Sequence, residues 1–282
     1  VSRLDVRKTY KLYINGEFPR SESGRSYPVM DARGRVVSRV AQASRKDLRE
    51  AVRAARHALT GWAGKSGYNR GQILYRIAEV MEDRADTFTD QVMLGGSSRA
   101  RARTEVERAI DRWVWYAGWA DKFAQVYGNL NPVAGPFFNI SVPEPSGVVG
   151  LVAPERPALL GLVSRLAPVL VPGNTAVVVA SESQPMPAVT LTEVFETADV
   201  PAGVVNVLSG HPAELVPWLA DHMDVNAIDA AGAEPELLTR VQAGSVHNVK
   251  RVVVANGDLD TQSPYLIAAF TETKTVWHPK GV

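Results

Sequence analysis

The chain runs to 282 residues, 45% of them hydrophobic and 22% charged, enough for one large domain or two modest ones around a buried core. A formal net charge of +1 argues against nucleic acid or an anionic membrane as a partner held by bulk charge, and the basic run Arg99, Arg101, Arg103 reads as a solvated helix start. The chain has no cysteine, which excludes disulfides, thiolate metal sites and a cysteine nucleophile.

In chain order, the opening residues Val1 to Tyr10 are polar and unlike a signal peptide, and no apolar run reaches the ~20 residues of a membrane span, so a cytoplasmic protein is expected. Lys11 to Ile14 alternates like a strand, Asn15-Gly16 is a two-residue hairpin turn, and Ser21 to Ser26 supplies further turn chemistry. Ser44 is placed to cap a helix whose Leu48, Val52, Ala55 and Leu59 recur at helical spacing. A second helix carries Ile73, Leu74, Ile77, Val80 and Met81. A third is expected from about Thr104, with Val106, Ile110, Trp113, Ala117 and Ala120 on one face. That spacing makes the Trp113–Trp119 aromatics core rather than a stacking platform. Glu105, Glu107 and Asp111 read as the helix's solvated side.

Gly128 to Pro136 is a Pro/Gly/Asn-rich break before the strand-like Phe137 to Val142. From Val148 the pattern changes. Short apolar strands at 148–153, 175–179, 204–208, 225–228 and 251–254 alternate with helical stretches at 159–170, 188–197, 215–220 and 235–241. Strands separated by helices imply βαβ units, hence an α/β fold with a doubly wound parallel sheet. Thr271 to Trp277 alternates again and reads as a strand outside that sheet. His57, His211, His222, His247 and His278 are scattered without ligand spacing, so no metal site is expected.

Several of these segments resemble the aldehyde dehydrogenases, in family order: Ser146 to Pro154, Leu166 to Thr175, Val200 to Gly210, Trp115 to Lys122, and the end segment Phe270 to Trp277. The resemblance implies a Rossmann-like cofactor domain over residues 1–127 and 143–257. It also implies an oligomerisation hairpin and tail strand over 128–142 and 264–282. In complete members a catalytic domain lies between the equivalents of Gly257 and Pro264; here the six residues Asp258 to Ser263 form a short loop instead. This layout is also similar to the shortened second unit of family 16 aldehyde dehydrogenases, here expected as a chain of its own.

Carried over position by position, the resemblance implies lost chemistry and no catalytic residue. Family catalysis uses a thiolate nucleophile, and none exists here. The oxyanion-stabilising asparagine aligns with Arg156 in Pro154-Glu155-Arg156, and the general-base glutamate aligns with Ala255. The lysine that holds the adenine ribose falls on Val179, the glycine beside the adenine on Pro212, and the Thr-Gly-Ser turn near the pyrophosphate on Ala231-Gly232-Ala233. Glu182, Gly210 and Gly232 remain as vestiges of a cofactor site, and no bound NAD is expected. What survives is the assembly apparatus, with Phe137, Phe138, Ile140, Thr273, Val276 and Trp277 as its contact residues. The expectation is a pseudoenzyme that joins a complete aldehyde dehydrogenase subunit or itself. The alternatives are an NAD-responsive binding module without turnover and an NAD(P)-dependent aldehyde oxidoreductase of unrecognised chemistry.

Overall fold

The computed structural model describes residues 8–254 and 261–281. The chain opens with a small sheet, β1 (Thr9–Tyr10), β2 (Ser26–Met30) and β3 (Val36–Ala41), in the order β1-β3-β2. Asn15 and Gly16 both take positive φ, 55° and 74°, and close the expected turn between Ile14 and Glu17. The strand expected over Lys11–Ile14 is reduced to two single bridges. Tyr13 exchanges backbone bonds with Val207 while Ile14 turns back onto Glu17, so no continuous register forms.

Four helices follow: α1 (Arg45–Ala63), α2 (Gly67–Asp83), α3 (Ala85–Met93) and α4 (Arg99–Ala117). Ser44 begins α1 with a full capping box. Its hydroxyl accepts from the Asp47 N–H at 3.3 Å, and the Asp47 carboxylate accepts from the Ser44 N–H at 2.7 Å. The helix α4 starts at Arg99, not near Thr104, because the Ser98 hydroxyl caps the Arg101 N–H and Ala102 is already buried. Arg99, Arg101 and Arg103 lie exposed along its first turns. Trp113 and Tyr116 are fully buried core residues. After α5 (Phe123–Tyr127) come β4 (Asn129–Asn131) and β5 (Phe137–Pro145).

The second half alternates β6 (Val148–Val152), α6 (Ala158–Leu170), β7 (Thr175–Val179), α7 (Met186–Thr197), β8 (Val205–Leu208), α8 (Pro212–Asp221), β9 (Ala227–Asp229), α9 (Pro235–Ser245) and β10 (Arg251–Val253). The five strands pair in parallel in the order β10-β9-β6-β7-β8. Apolar side chains pack on both sides of this sheet. Those of α1, α8 and α9 meet one face, and those of α2, α4, α6 and α7 the other. Every residue of β6, β7, β8 and β9 is therefore buried, which is why these strands read as unbroken apolar runs. Chain order reverses between β6 and β9, and the crevice of a doubly wound sheet opens at such a reversal.

One polar contact ties α4 to the second half, and another ties α6 to β9 within it. Glu105, expected on a solvated face, is half-buried and accepts the N–H groups of Leu159 and Leu160 at 3.0 and 3.3 Å. It serves the first turn of α6, where no side chain of that helix acts as a cap. Burial raises its carboxyl, with the two N–H bonds and Arg108 pulling the other way. Arg165 of α6 and Asp229 of β9 form a buried ion pair at 2.6 Å.

The chain ends with α10 (Pro264–Ala268) and β11 (Thr271–Pro279). The tail strand pairs antiparallel with β5 along nine residues, from Thr271 opposite Pro145 to Pro279 opposite Phe137, in a separate sheet ordered β11-β5-β4. No helix among the described residues is long and apolar enough to cross a membrane.

Candidate functional site

A cleft of about 720 Å³ opens at the carboxyl ends of the parallel strands. Loops after four strands reach it: Glu155 after β6, Glu182 and Ser183 after β7, Pro212 after β8 and Gly232 after β9. The first turn of α9 adds Glu234, Glu236 and Leu237, and β2 closes the outer side with Tyr27 and Met30. Three positions far apart in sequence, Glu182, Pro212 and Gly232, thus converge on one cavity. Gly210 is not among its lining residues; a Cβ there would stand 3.0 Å from Leu215 and 3.3 Å from the backbone of Ala43. Its small size serves the packing of the β8–α8 loop.

Four carboxylates face this space, and one of them is tied down. Glu155 accepts four hydrogen bonds from the loop after β7: Glu182 N–H at 2.8 Å, Ser183 N–H at 3.1 Å, Ser181 hydroxyl at 2.9 Å and Ser183 hydroxyl at 2.5 Å. Half-burial alone would raise its carboxyl. The Ser183 hydroxyl, the two N–H groups and the Ser181 hydroxyl together hold it below the usual carboxylate range. Glu182 meets the His211 Nδ1 at 2.8 Å, and the ring of Tyr27 lies 5.2 Å from that imidazole. Burial, with Glu182 and Glu155 nearby, pushes the Tyr27 phenol upward.

The turn after β9 offers no free donor either. The Ala231 N–H bonds Asp229 Oδ1 at 3.0 Å, the Gly232 N–H bonds the Val152 carbonyl at 3.0 Å, and the Ala233 N–H bonds the Ala230 carbonyl at 3.0 Å. Gly232 sits so close to β6 that a Cβ would stand 2.1 Å from the Ala153 carbonyl oxygen. Gly232→Ala is expected to push this turn off the sheet and cost about 1–3 kcal/mol, read as a lower urea midpoint with an unchanged slope. An unshifted midpoint would show that the turn moves freely.

These contacts suit a dinucleotide poorly: the loop N–H groups of 182, 183 and 231–233 are already spent, and the first turn of α9, which no side chain caps, faces the cleft among the carboxylates of Glu155, Glu182, Glu234 and Glu236. Arg156 is exposed, and Ala255 lies outside the described residues, as does the first half of the 258–263 loop. Among the described residues no group of three or more His, Asp or Glu is placed to hold a metal ion.

The six tail and hairpin residues lie in a different sheet and divide between its two faces. Leu130, Ile140 and Val276 lie side by side across β4, β5 and β11, with Phe138 on the same face. Leu130 is 67% exposed and Val276 41%. Phe137, Thr273 and Trp277 point to the opposite face, where the Phe137 and Trp277 rings meet edge-on at 5.8 Å. That face also carries a polar ladder in which Asn131 donates to Asn139 and Ser141, and Ser141 meets Thr275.

The profile of the aldehyde dehydrogenase family matches residues 18–275. The chain belongs to this family. Retinal dehydrogenase 2 of Homo sapiens is 33% identical over 272 residues, covering 94% of this chain and 51% of that protein. Cytosolic 10-formyltetrahydrofolate dehydrogenase of Xenopus laevis is 30% identical, over 95% of this chain and 30% of that protein. Among solved structures, HpcC from Thermus thermophilus superposes with a TM-score of 0.83 at 30% identity, covering 88% of this chain and 48% of that one. An NAD+ complex of aldehyde dehydrogenase from Bacillus cereus gives 0.82 at 25% identity, over 88% and 50%. The chain spans about half the length of the retinal dehydrogenases it matches. In the sequence Glu155 stands out only as the residue between Pro154 and Arg156, with no role of its own. Its role as an acceptor depends on the loop after β7, 26 positions away in the chain for Ser181, folding back over it.

Proposed function

We propose that this chain is a non-catalytic aldehyde dehydrogenase-like subunit that assembles with a complete aldehyde dehydrogenase, or with a second copy of itself, through the β4–β5–β11 sheet. The observation that carries this reading is the outward apolar row Leu130–Ile140–Val276, continuous with the outer edge of β11, which has no partner strand among the described residues. A nine-residue strand edge beside an apolar face invites aggregation unless another chain covers it. The absence of any cysteine, and Arg156 in place of the amide, support the lack of turnover. In this reading the cleft holds no cofactor.

The test is the solution mass of the chain alone and co-expressed with a complete aldehyde dehydrogenase from the same source, with aldehyde-dependent NADH production measured for each. A stable mixed or self-assembly, and no NADH from this chain alone, is the expected result. A monodisperse monomer under both conditions, or turnover by the chain alone, would overturn it.

A further inference from the structure

The cleft raises a question separate from assembly: what occupies the donors that a doubly wound sheet presents at its strand ends. In this chain the donors of the loops after β7 and β9 are occupied from within. The Ser181–Ser183 loop directs two N–H groups and two hydroxyls at one point, and the Glu155 carboxylate sits at that point. Charge-assisted bonds of this kind are stronger than neutral ones, so an incoming anion must displace a carboxylate already well served. It must also approach Glu182, Glu234 and Glu236 on the remaining walls.

We infer that Glu155 is a built-in occupant of the cleft, standing where the anionic group of a ligand would sit and barring phosphate-bearing ligands from it. Three features carry this. The carboxylate is half-buried yet bonded on both oxygens. Both of its backbone donors belong to a loop that lines the cavity. The second loop at the strand ends, Ala231 to Ala233, has no donor left to compensate. Ligand exclusion is then a property of one side chain as much as of missing family residues. It does not rest on the assembly proposed above, since either behaviour can fail without the other.

The experiment is calorimetric titration of the full chain with inorganic pyrophosphate, AMP and NAD at low salt and neutral pH, for the parent, Glu155→Ala and Glu155→Gln. The parent should show no binding at millimolar concentrations. Glu155→Ala should gain affinity for pyrophosphate by at least about tenfold, with AMP following, because the freed donors of Glu182 and Ser183 line the cavity. Glu155→Gln removes the charge while keeping an acceptor in place, so it should fall between the two and replaces the alanine variant if that one does not fold. Circular dichroism confirms the fold of each. The inference is overturned if the parent binds pyrophosphate or NAD as well as the variants do. It is equally overturned if folded variants remain as unresponsive as the parent.

Discussion

Deleting residues 271–282 is expected to reduce the solution mass to that of a single chain, whichever partner the parent protein takes. The strand β11 supplies one third of the exposed sheet and its open edge, and its Val276 completes the apolar row with Ile140 and Leu130. The cut leaves Phe270 in place. Its ring is buried and its carbonyl accepts from Ser146 and Asn174, so the parallel-sheet body keeps its anchor. The newly bared edge of β5 is itself sticky, which would blur a mass measurement. A second variant avoids this: Ile140→Asp with Val276→Asp leaves the backbone ladder intact and places like charges directly opposite each other on the outward face. Both variants should lose assembly in sedimentation or light scattering. Assembly retained by the charged double variant would remove the outward face from the interface.

Asp229→Ala is expected to destabilise the chain by about 3–5 kcal/mol, the usual cost of stranding one member of a buried ion pair. Asp229 is fully buried and Arg165 nearly so, and their 2.6 Å contact joins α6 to β9 at the reversal of strand order. Burial pushes the Asp229 carboxyl upward, with Arg165 and the Ala231 N–H drawing it back. Without the carboxylate, the Arg165 guanidinium remains in an apolar layer and the Ala231 turn loses its acceptor. Against a total stability of about 5–15 kcal/mol, the loss would be visible as a large drop in urea midpoint. Replacing both members, Arg165→Met with Asp229→Leu, should recover most of it. A double variant as unstable as the single would mean that the two residues act separately.

The parallel sheet was legible from the chain because its strands are buried on both faces and so carry unbroken apolar runs, as in Val148–Val152 and Thr175–Val179. The helices α1, α2 and α4 were legible from their 3.6-residue apolar spacing. Shorter or edge elements were not. Pro28 interrupts the strand pattern of β2, and α3 buries only Phe88, Thr89 and Val92, too few for a period to stand out. The end of α4 that carries Glu105 looks solvated in sequence, and only the docking of α6 makes that carboxylate a helix cap.

What the sequence determined by itself is therefore the fold class, the family and the missing cysteine, because these depend on local periodicity, ordered motifs and composition. The tertiary structure decided the rest. It joined the tail strand to β5 within the same chain, separated the apolar from the polar face of that sheet, and brought Glu155 to the Ser181–Ser183 donors. Each of these is a pairing between residues distant along the chain. Spacing in sequence carries the phase of a helix or strand, but not which loop will fold back to satisfy a given N–H group.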